Sequence, residues 1–93
     1  MIPELAPGDQ VLVRWGALIQ PGDVVVAQRP DRPDLLVVKR AVRLVGEGWW
    51  LEGDNAAASD DSRVFGTVHR KDVLGRVVAR IHPRPMQRLR REP

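Results

Sequence analysis

The chain has 93 residues, of which 43% are hydrophobic and 29% charged, and a net charge of +3. This composition is ordinary for one small folded domain. The absence of cysteine excludes disulfide bonds, thiolate metal sites and a cysteine nucleophile. His69 and His82 lie too far apart for metal-ligand spacing, and we expect no metal or other cofactor. The chain contains no run of about 18 apolar residues, the length that a membrane-spanning helix needs. The N-terminus also lacks the charged-then-apolar layout of a secretory signal.

Turn signals and valine-rich runs alternate along the first half of the chain. Proline and glycine in residues 5–9 and 21–23 predict two turns, each followed by a short strand. Residues 34–43 carry the strongest strand pattern. The glycines of residues 46–48 then predict a hairpin into a strand over 49–52.

The second half begins with residues 53–63, which have few strand formers and predict a long irregular loop. Residues 71–75 predict a brief turn or helical bend before a last strand over 76–81, and Gly75 indicates a bulge or bend. The final 18 residues carry six arginines and one acid, which leaves residues 1–75 with a net charge of −2. We therefore expect a β domain over residues 1–82 and a basic, flexible tail over 83–93.

Short strands separated by glycine and proline, without a helix of three turns, predict an all-β fold. The form we expect is a small, twisted, partly closed β-barrel of short strands. Trp49 and Trp50 should project from opposite faces of their strand, one into the core and the other partly exposed.

Lys39 stands out within the strand pattern of residues 34–43. At a period of two it shares a face with Val37 and Ala41. If that face is covered, desolvation lowers the pKa of the amine, and a neutral amine can take a proton from a hydroxyl. The alternative is that Lys39 reaches from the strand into water.

The segment 53–66 has a particular arrangement of polar residues. The positions that define this arrangement are Gly53, Asp54, Asn55, Ser59, Asp61, Ser62 and Arg63. Asp54 and Asn55 can hydrogen-bond nearby backbone, Asp61 and Arg63 can form an ion pair, and Ser59 could orient a lysine amine. A solvated, turn-rich connection is the alternative interpretation of any one of these residues.

Lys39-Arg40 and the pattern from Gly53 to Arg63 together resemble two motifs of the type I signal peptidases, a family of serine–lysine endopeptidases. Met1-Ile2-Pro3-Glu4-Leu5, followed by Gly8-Asp9, is similar to the part of a third motif that follows its serine, with Glu4 in place of threonine. The compact form, the tryptophan pair and the arginine-rich end also resemble the maturation proteases of nickel-type superoxide dismutase.

The resemblance implies a serine endopeptidase that removes an N-terminal extension or signal segment from a protein substrate. In that case Lys39 would be the general base, Ser59 would orient its amine, and Asp61 would brace the loop with Arg63 or Arg40. Gly53, Asp54, Asn55 and Ser62 would belong to the same supporting loop.

The resemblance places the nucleophilic serine immediately before Met1 and close to Pro3. We therefore expect the chain as written to be truncated just after the nucleophile and inactive, which leaves open whether this chain is itself an enzyme. Ser59 could form a dyad with Lys39, but the resemblance gives it a supporting role and offers no oxyanion donors there.

Two other functions are compatible with a small β domain. The first is a pseudoprotease or peptide-binding module that adds an extended peptide to a sheet edge. The second is a nucleic-acid-binding barrel that uses the tryptophan pair and the tail, against which the acidic balance of residues 1–75 argues. The expected partner is a protein or peptide bound in extended form, with a membrane surface as a further partner. The sequence leaves the location undecided between cytoplasmic and membrane-associated.

Overall fold

The computed structural model describes residues 10–53, 60–81 and 87–88. Seven strands form one antiparallel sheet with the order β1-β6-β2-β3-β4-β5, and β7 pairs with β6. The strands are β1 Gln10–Trp15, β2 Val24–Arg29, β3 Arg32–Val45, β4 Gly48–Glu52, β5 Val68–His69, β6 Val73–Ile81 and β7 Gln87–Arg88. A helical turn α1, Ser62–Phe65, and a 3-10 turn, Arg70–Asp72, complete the described elements.

Most of the predicted elements are confirmed, with longer bounds. The strand predicted over residues 34–43 extends to 14 residues in β3, and Gly46 adopts a positive φ of 60° in the hairpin to β4. The bend predicted near residue 71 is the 3-10 turn. The prediction of an irregular loop over residues 53–63 is wrong at its end, because Asp61 caps the helical turn that starts at Ser62.

The all-β class is confirmed, but the partly closed barrel is wrong. The strand order starts at β1 and ends at β5, and no pairing joins these two strands in the described part of the chain. Closure needs a hydrogen-bonded ladder between the two edge strands, and β5 offers only two residues for one. The strands are also not uniformly short, since β3 is longer than β4 and β5 together.

The core lies on both faces of β2. On one face Val25 and Ala27 pack with a cluster completed by Ala41, Trp49, Leu51 and Val68. On the other face Val24 and Val26 pack with Val77. A strand covered on both sides is apolar at consecutive positions, which accounts for the unbroken run Val24-Val25-Val26-Ala27.

Register shifts interrupt four of the strand pairings, and two of these bulges concern residues that the sequence singled out. Val26 pairs with Gly75 and Ala27 with Val73, so the bulge predicted at Gly75 is confirmed beside it. A Cβ at Gly75 would lie 2.8 Å from the Arg14 carbonyl oxygen, which shows how closely β1 approaches.

A second bulge in β3 places Arg43 opposite Trp50 and Leu44 opposite Trp49. The prediction for the tryptophan pair is confirmed: Trp49 is buried, and Trp50 is half-buried under the Arg43 guanidinium.

Within the predicted tail, Gln87 and Arg88 pair with Arg80 and Ala79 of β6. The other residues of 83–93 lie outside the described ranges. In the part of the chain that the structure describes, neither helical element has the length or apolarity of a membrane span.

Candidate active site around Lys39

Lys39 lies in the buried part of β3. It pairs with Val25 of β2, and its neighbour along the same face, Ala41, is fully buried. The lysine itself is only 8% exposed. The face that Lys39 shares with Ala41 is therefore covered, and the interpretation in which Lys39 reaches from the strand into water is wrong.

The surroundings of Lys39 act on its amine in opposite directions. Burial, the largest effect, lowers the pKa of Lys39, because the ammonium form loses its hydration. The carboxylates of Asp61 and Asp60 oppose this lowering, while the guanidinium groups of Arg29 and Arg63 add to it. The net effect on the pKa is a decrease, which favours the neutral amine that a general base requires.

Asp61 is the organising residue of the loop next to Lys39. Its buried carboxylate accepts hydrogen bonds from the backbone N–H groups of Gly53 and Arg63, both at 3.0 Å, and from the Arg63 guanidinium. The hydrogen bond from Arg63 is the main reason why the pKa of Asp61 is far below its usual value. The ion pair between Asp61 and Arg63 that their spacing predicts is thus present.

Ser62 ties the same loop to β4. Its buried hydroxyl accepts the backbone N–H of Leu51 at 2.8 Å. The helical turn closes where Gly66, with a φ of 79°, donates its N–H to the Ser62 carbonyl. Together Asp61 and Ser62 hold two positions at the end of β4, Leu51 and Gly53, and so fix where the loop leaves the sheet.

Arg40 serves a different segment from Arg63. Its Nη1 donates to the Gly22 carbonyl at 2.8 Å, in the turn that precedes β2. Backbone hydrogen bonds from Gly22 N to Ala41 O and from Ala41 N to Asp23 O join this turn to β3. The Asp23 carboxylate in turn accepts the Gln20 N–H at 2.8 Å. The turn therefore fixes the register of β3 two residues after Lys39, a function that the sequence did not indicate.

Arg29 is a second residue that sequence reasoning missed. It donates to Asp31 from Nε at 2.6 Å and to Asp60 from Nη2 at 3.0 Å, and its guanidinium lies 5.2 Å from the centre of the Phe65 ring. The Asp31 contact could have been anticipated from the adjacent turn. Asp60 lies 31 positions away, and no sequence pattern links it to Arg29.

Five predicted site residues lie outside the described ranges. They are Met1, Pro3, Asp54, Asn55 and Ser59. The structure therefore brings together Lys39, Gly53, Asp61, Ser62 and Arg63, whereas the contact between Lys39 and Ser59 remains a prediction. Within the described ranges no three histidine or acidic side chains are grouped as metal ligands.

Among the described strands, β3 is paired differently on its two sides next to Lys39. β2 pairs with β3 between Arg32 and Arg40, whereas on its other side β4 reaches only as far as Arg40. Among the described strands, Arg32 and residues 36–39 of β3 thus pair with β2 and not with β4. Such an edge can accept an added strand through backbone hydrogen bonds.

A separate cavity of about 430 Å³ lies towards the other end of β3. It is lined by residues including Leu18, Leu44, Trp49 and Lys71, and Lys39 is not among them. Because the buried cluster around Ala41 and Leu51 occupies the strand positions between Lys39 and Leu44, we treat this cavity as separate from the candidate active site.

Comparison with known proteins agrees with this geometry. The family model described as "Signal peptidase, peptidase S26" matches residues 46–82, which include the Gly53–Arg63 segment. The chain is 33% identical over 85 residues to a mitochondrial inner membrane protease subunit 1 of Xenopus tropicalis, a match that covers 70% of this chain and 51% of that protein.

Two further relatives come from distant eukaryotes. Subunit 2 of the mitochondrial inner membrane protease of Schizosaccharomyces pombe is 32% identical, with 81% of this chain and 52% of that protein covered. A mitochondrial ATP-independent inner membrane protease subunit 1a of Arabidopsis thaliana is 32% identical, and the match covers 89% of this chain and 66% of that protein. The chain spans about half the length of the Xenopus tropicalis and Schizosaccharomyces pombe proteins. No solved structure matches the chain.

Proposed function

Since the chain belongs to the type I signal peptidase family, peptidase S26, we propose that it carries the general-base half of a serine–lysine endopeptidase site. The observation that carries this proposal is the burial of Lys39, whose amine has a lowered pKa beside a loop held by Asp61 and Ser62. Lys39 takes the proton from a serine hydroxyl as that oxygen attacks the scissile carbonyl. It then returns the proton to the leaving amine.

The substrate is a protein segment bound in extended form along residues 32–39 of β3. This edge runs directly into Lys39, so a peptide paired with it would pass the amine. Signal-peptidase-like relatives support cleavage of an N-terminal extension or signal segment, and their names as inner membrane protease subunits support action at a membrane surface. Ser59, three positions before Ser62, is proposed to orient the amine of Lys39.

The resemblance assigns the nucleophile to the position immediately before Met1. The test therefore supplies it: the chain is extended at its N-terminus by a serine and a short upstream segment of the family pattern. The extended protein is incubated with a mixed library of peptides, and cleavage products are identified by mass spectrometry. We expect cleavage at defined bonds by the serine form and none when the added serine is alanine.

Lys39 and Lys71 are the only two lysines of the chain, so a matched pair of variants isolates the base. Lys39→Met keeps the length of the side chain and removes the amine, and it should abolish cleavage. Lys71→Met, at an exposed position, should leave cleavage unchanged. Persistent cleavage in Lys39→Met would contradict the proposal. Peptide binding without turnover in the serine form would instead favour the non-catalytic peptide-binding module.

A further inference from the structure

Two acidic residues influence the charge state of the buried lysine. Asp60 and Asp61 are consecutive in sequence, and both act on Lys39 electrostatically from the segment before α1. A nearby carboxylate stabilises an ammonium group and opposes its deprotonation. A site that needs a neutral lysine therefore requires something to offset these two charges.

Each of the two carboxylates is bound by its own arginine. Arg63 holds Asp61 through its Nε at 3.1 Å and its Nη2. Arg29 holds Asp60 through Nη2 at 3.0 Å, although Asp60 itself is about half-exposed. The first pair is local, with a separation of two residues, whereas the second joins the end of β2 to the loop.

We propose that Arg29 is a positioning residue of the Lys39 site, which ties the Asp60–Phe65 segment to the sheet and offsets part of the charge of Asp60. The catalytic importance of Arg29 rests on the proposed function, whereas its electrostatic effect on Lys39 does not. Arg29 suits the task because its side chain is only 19% exposed and its planar fork contacts two carboxylates at once. Its position above the Phe65 ring adds a second attachment to the same segment.

The charged groups that act on Lys39 come from three elements. Arg29 belongs to β2, Asp60 and Asp61 to the segment before α1, and Arg63 to α1 itself. Each acid acts on Lys39 more strongly than either arginine, and Arg29 also binds Asp31, so the arginines offset the acids only in part. Burial is the largest effect, and the net result favours the neutral amine.

The test uses the two lysines of the chain. Protein labelled with ¹³C at the lysine ε carbon gives two signals, and the titration of each by NMR reports the pKa of Lys39 and, as an internal control, of Lys71. We expect Arg29→Gln to raise the pKa of Lys39 and leave that of Lys71 unchanged. Asp60→Asn should lower it, and the double variant Arg29→Gln/Asp60→Asn should return it towards the wild-type value.

Arg32→Gln is the matched control, because Arg32 is an exposed arginine of the same hairpin whose nearest carboxylate, on Asp34, lies 3.9 Å away. This variant should leave the titration of Lys39 unchanged. An unchanged pKa of Lys39 in folded Arg29→Gln would overturn the proposal. A double variant that titrates like Arg29→Gln would do so too, since Asp60 would then not be the group that Arg29 offsets.

The amide spectrum checks the folding of each variant. Arg29→Lys, which keeps the positive charge, is the second variant to be measured in case Arg29→Gln does not fold. Arg29→Lys should give a smaller rise in the pKa of Lys39 than Arg29→Gln, and an equal rise in the two variants would contradict a charge effect. These measurements need no nucleophile. If Arg29→Gln shifts the titration of Lys39 but the serine-extended protein never cleaves peptides, the proposed function is refuted and the role of Arg29 stands.

Discussion

Replacing Asp61 by alanine tests whether its carboxylate holds the loop to the sheet. The change removes the cap of α1, which is worth about 1 kcal/mol. It also removes the charge-assisted hydrogen bond from Gly53, worth about 2 kcal/mol. The ion pair with Arg63 adds about 0.5 kcal/mol, because the arginine is nearly half-exposed. We therefore expect Asp61→Ala to lower the free energy of unfolding by about 3 kcal/mol near neutral pH, since such terms are not fully additive.

The pH dependence of this loss follows from the lowered pKa of Asp61. A depressed carboxyl pKa contributes stability that is fully present above the ordinary value of 3.8 and disappears as the pH falls through the folded value. The difference between wild type and Asp61→Ala should therefore shrink as the pH is lowered below 3.8.

The assay is urea unfolding followed by tryptophan fluorescence, for which buried Trp49 is the reporter. Asp34→Ala is the control, because Asp34 is 71% exposed and lies 3.9 Å from Arg32, and it should cost less than about 0.5 kcal/mol. A cost of Asp61→Ala below about 1 kcal/mol, or one that does not change with pH, would refute this reasoning.

Three further variants probe the site and the sheet by the same unfolding assay. Lys39→Met should stabilise the protein at neutral pH, because burial disfavours the ammonium form of the lysine. This gain in stability should fade as the pH rises towards 10.5. A loss of stability at neutral pH would contradict the prediction. Ser62→Ala should cost about 1–3 kcal/mol, since the Leu51 N–H loses its acceptor; Ser62→Thr, which keeps a hydroxyl, should cost less. Gly75→Ala should cost about 1–3 kcal/mol, because the new Cβ would meet the Arg14 backbone; a neutral effect would show that β1 can move away.

The strands were predictable because their signals are local. Alternation around Lys39, the glycines of the β3–β4 hairpin and the position of Gly75 each depend on a few neighbouring residues. The connection between the edges of the sheet is not local. Whether β1 pairs with β5 depends on the lengths of these two edge strands. The sequence around Val68 did not predict that β5 would have only two residues.

The features of the candidate site also differ in whether local sequence could predict them. The pairing of Asp61 with Arg63 follows from their spacing and is confirmed. Strand period places Lys39 on one face with Ala41 but does not decide whether that face is buried, and the structure shows that it is. The narrower resemblance to superoxide dismutase maturation proteases remains a prediction, because the matching relatives are inner membrane protease subunits. The contacts of Arg29 and of the Gly22–Asp23 turn required the structure, since each joins segments far apart in the chain.

The distinction matters for how the lysine can act as a base. Burial alone would lower its pKa in any strand with an apolar face, and a motif search can find such a strand. Two neighbouring carboxylates oppose that effect, and a sequence shows acids and arginines without showing which of them meet. The arrangement that leaves Lys39 under the control of burial depends on a contact between β2 and the loop before α1. The chemistry of this site is therefore set by tertiary pairing of charges around the motif as much as by the motif itself.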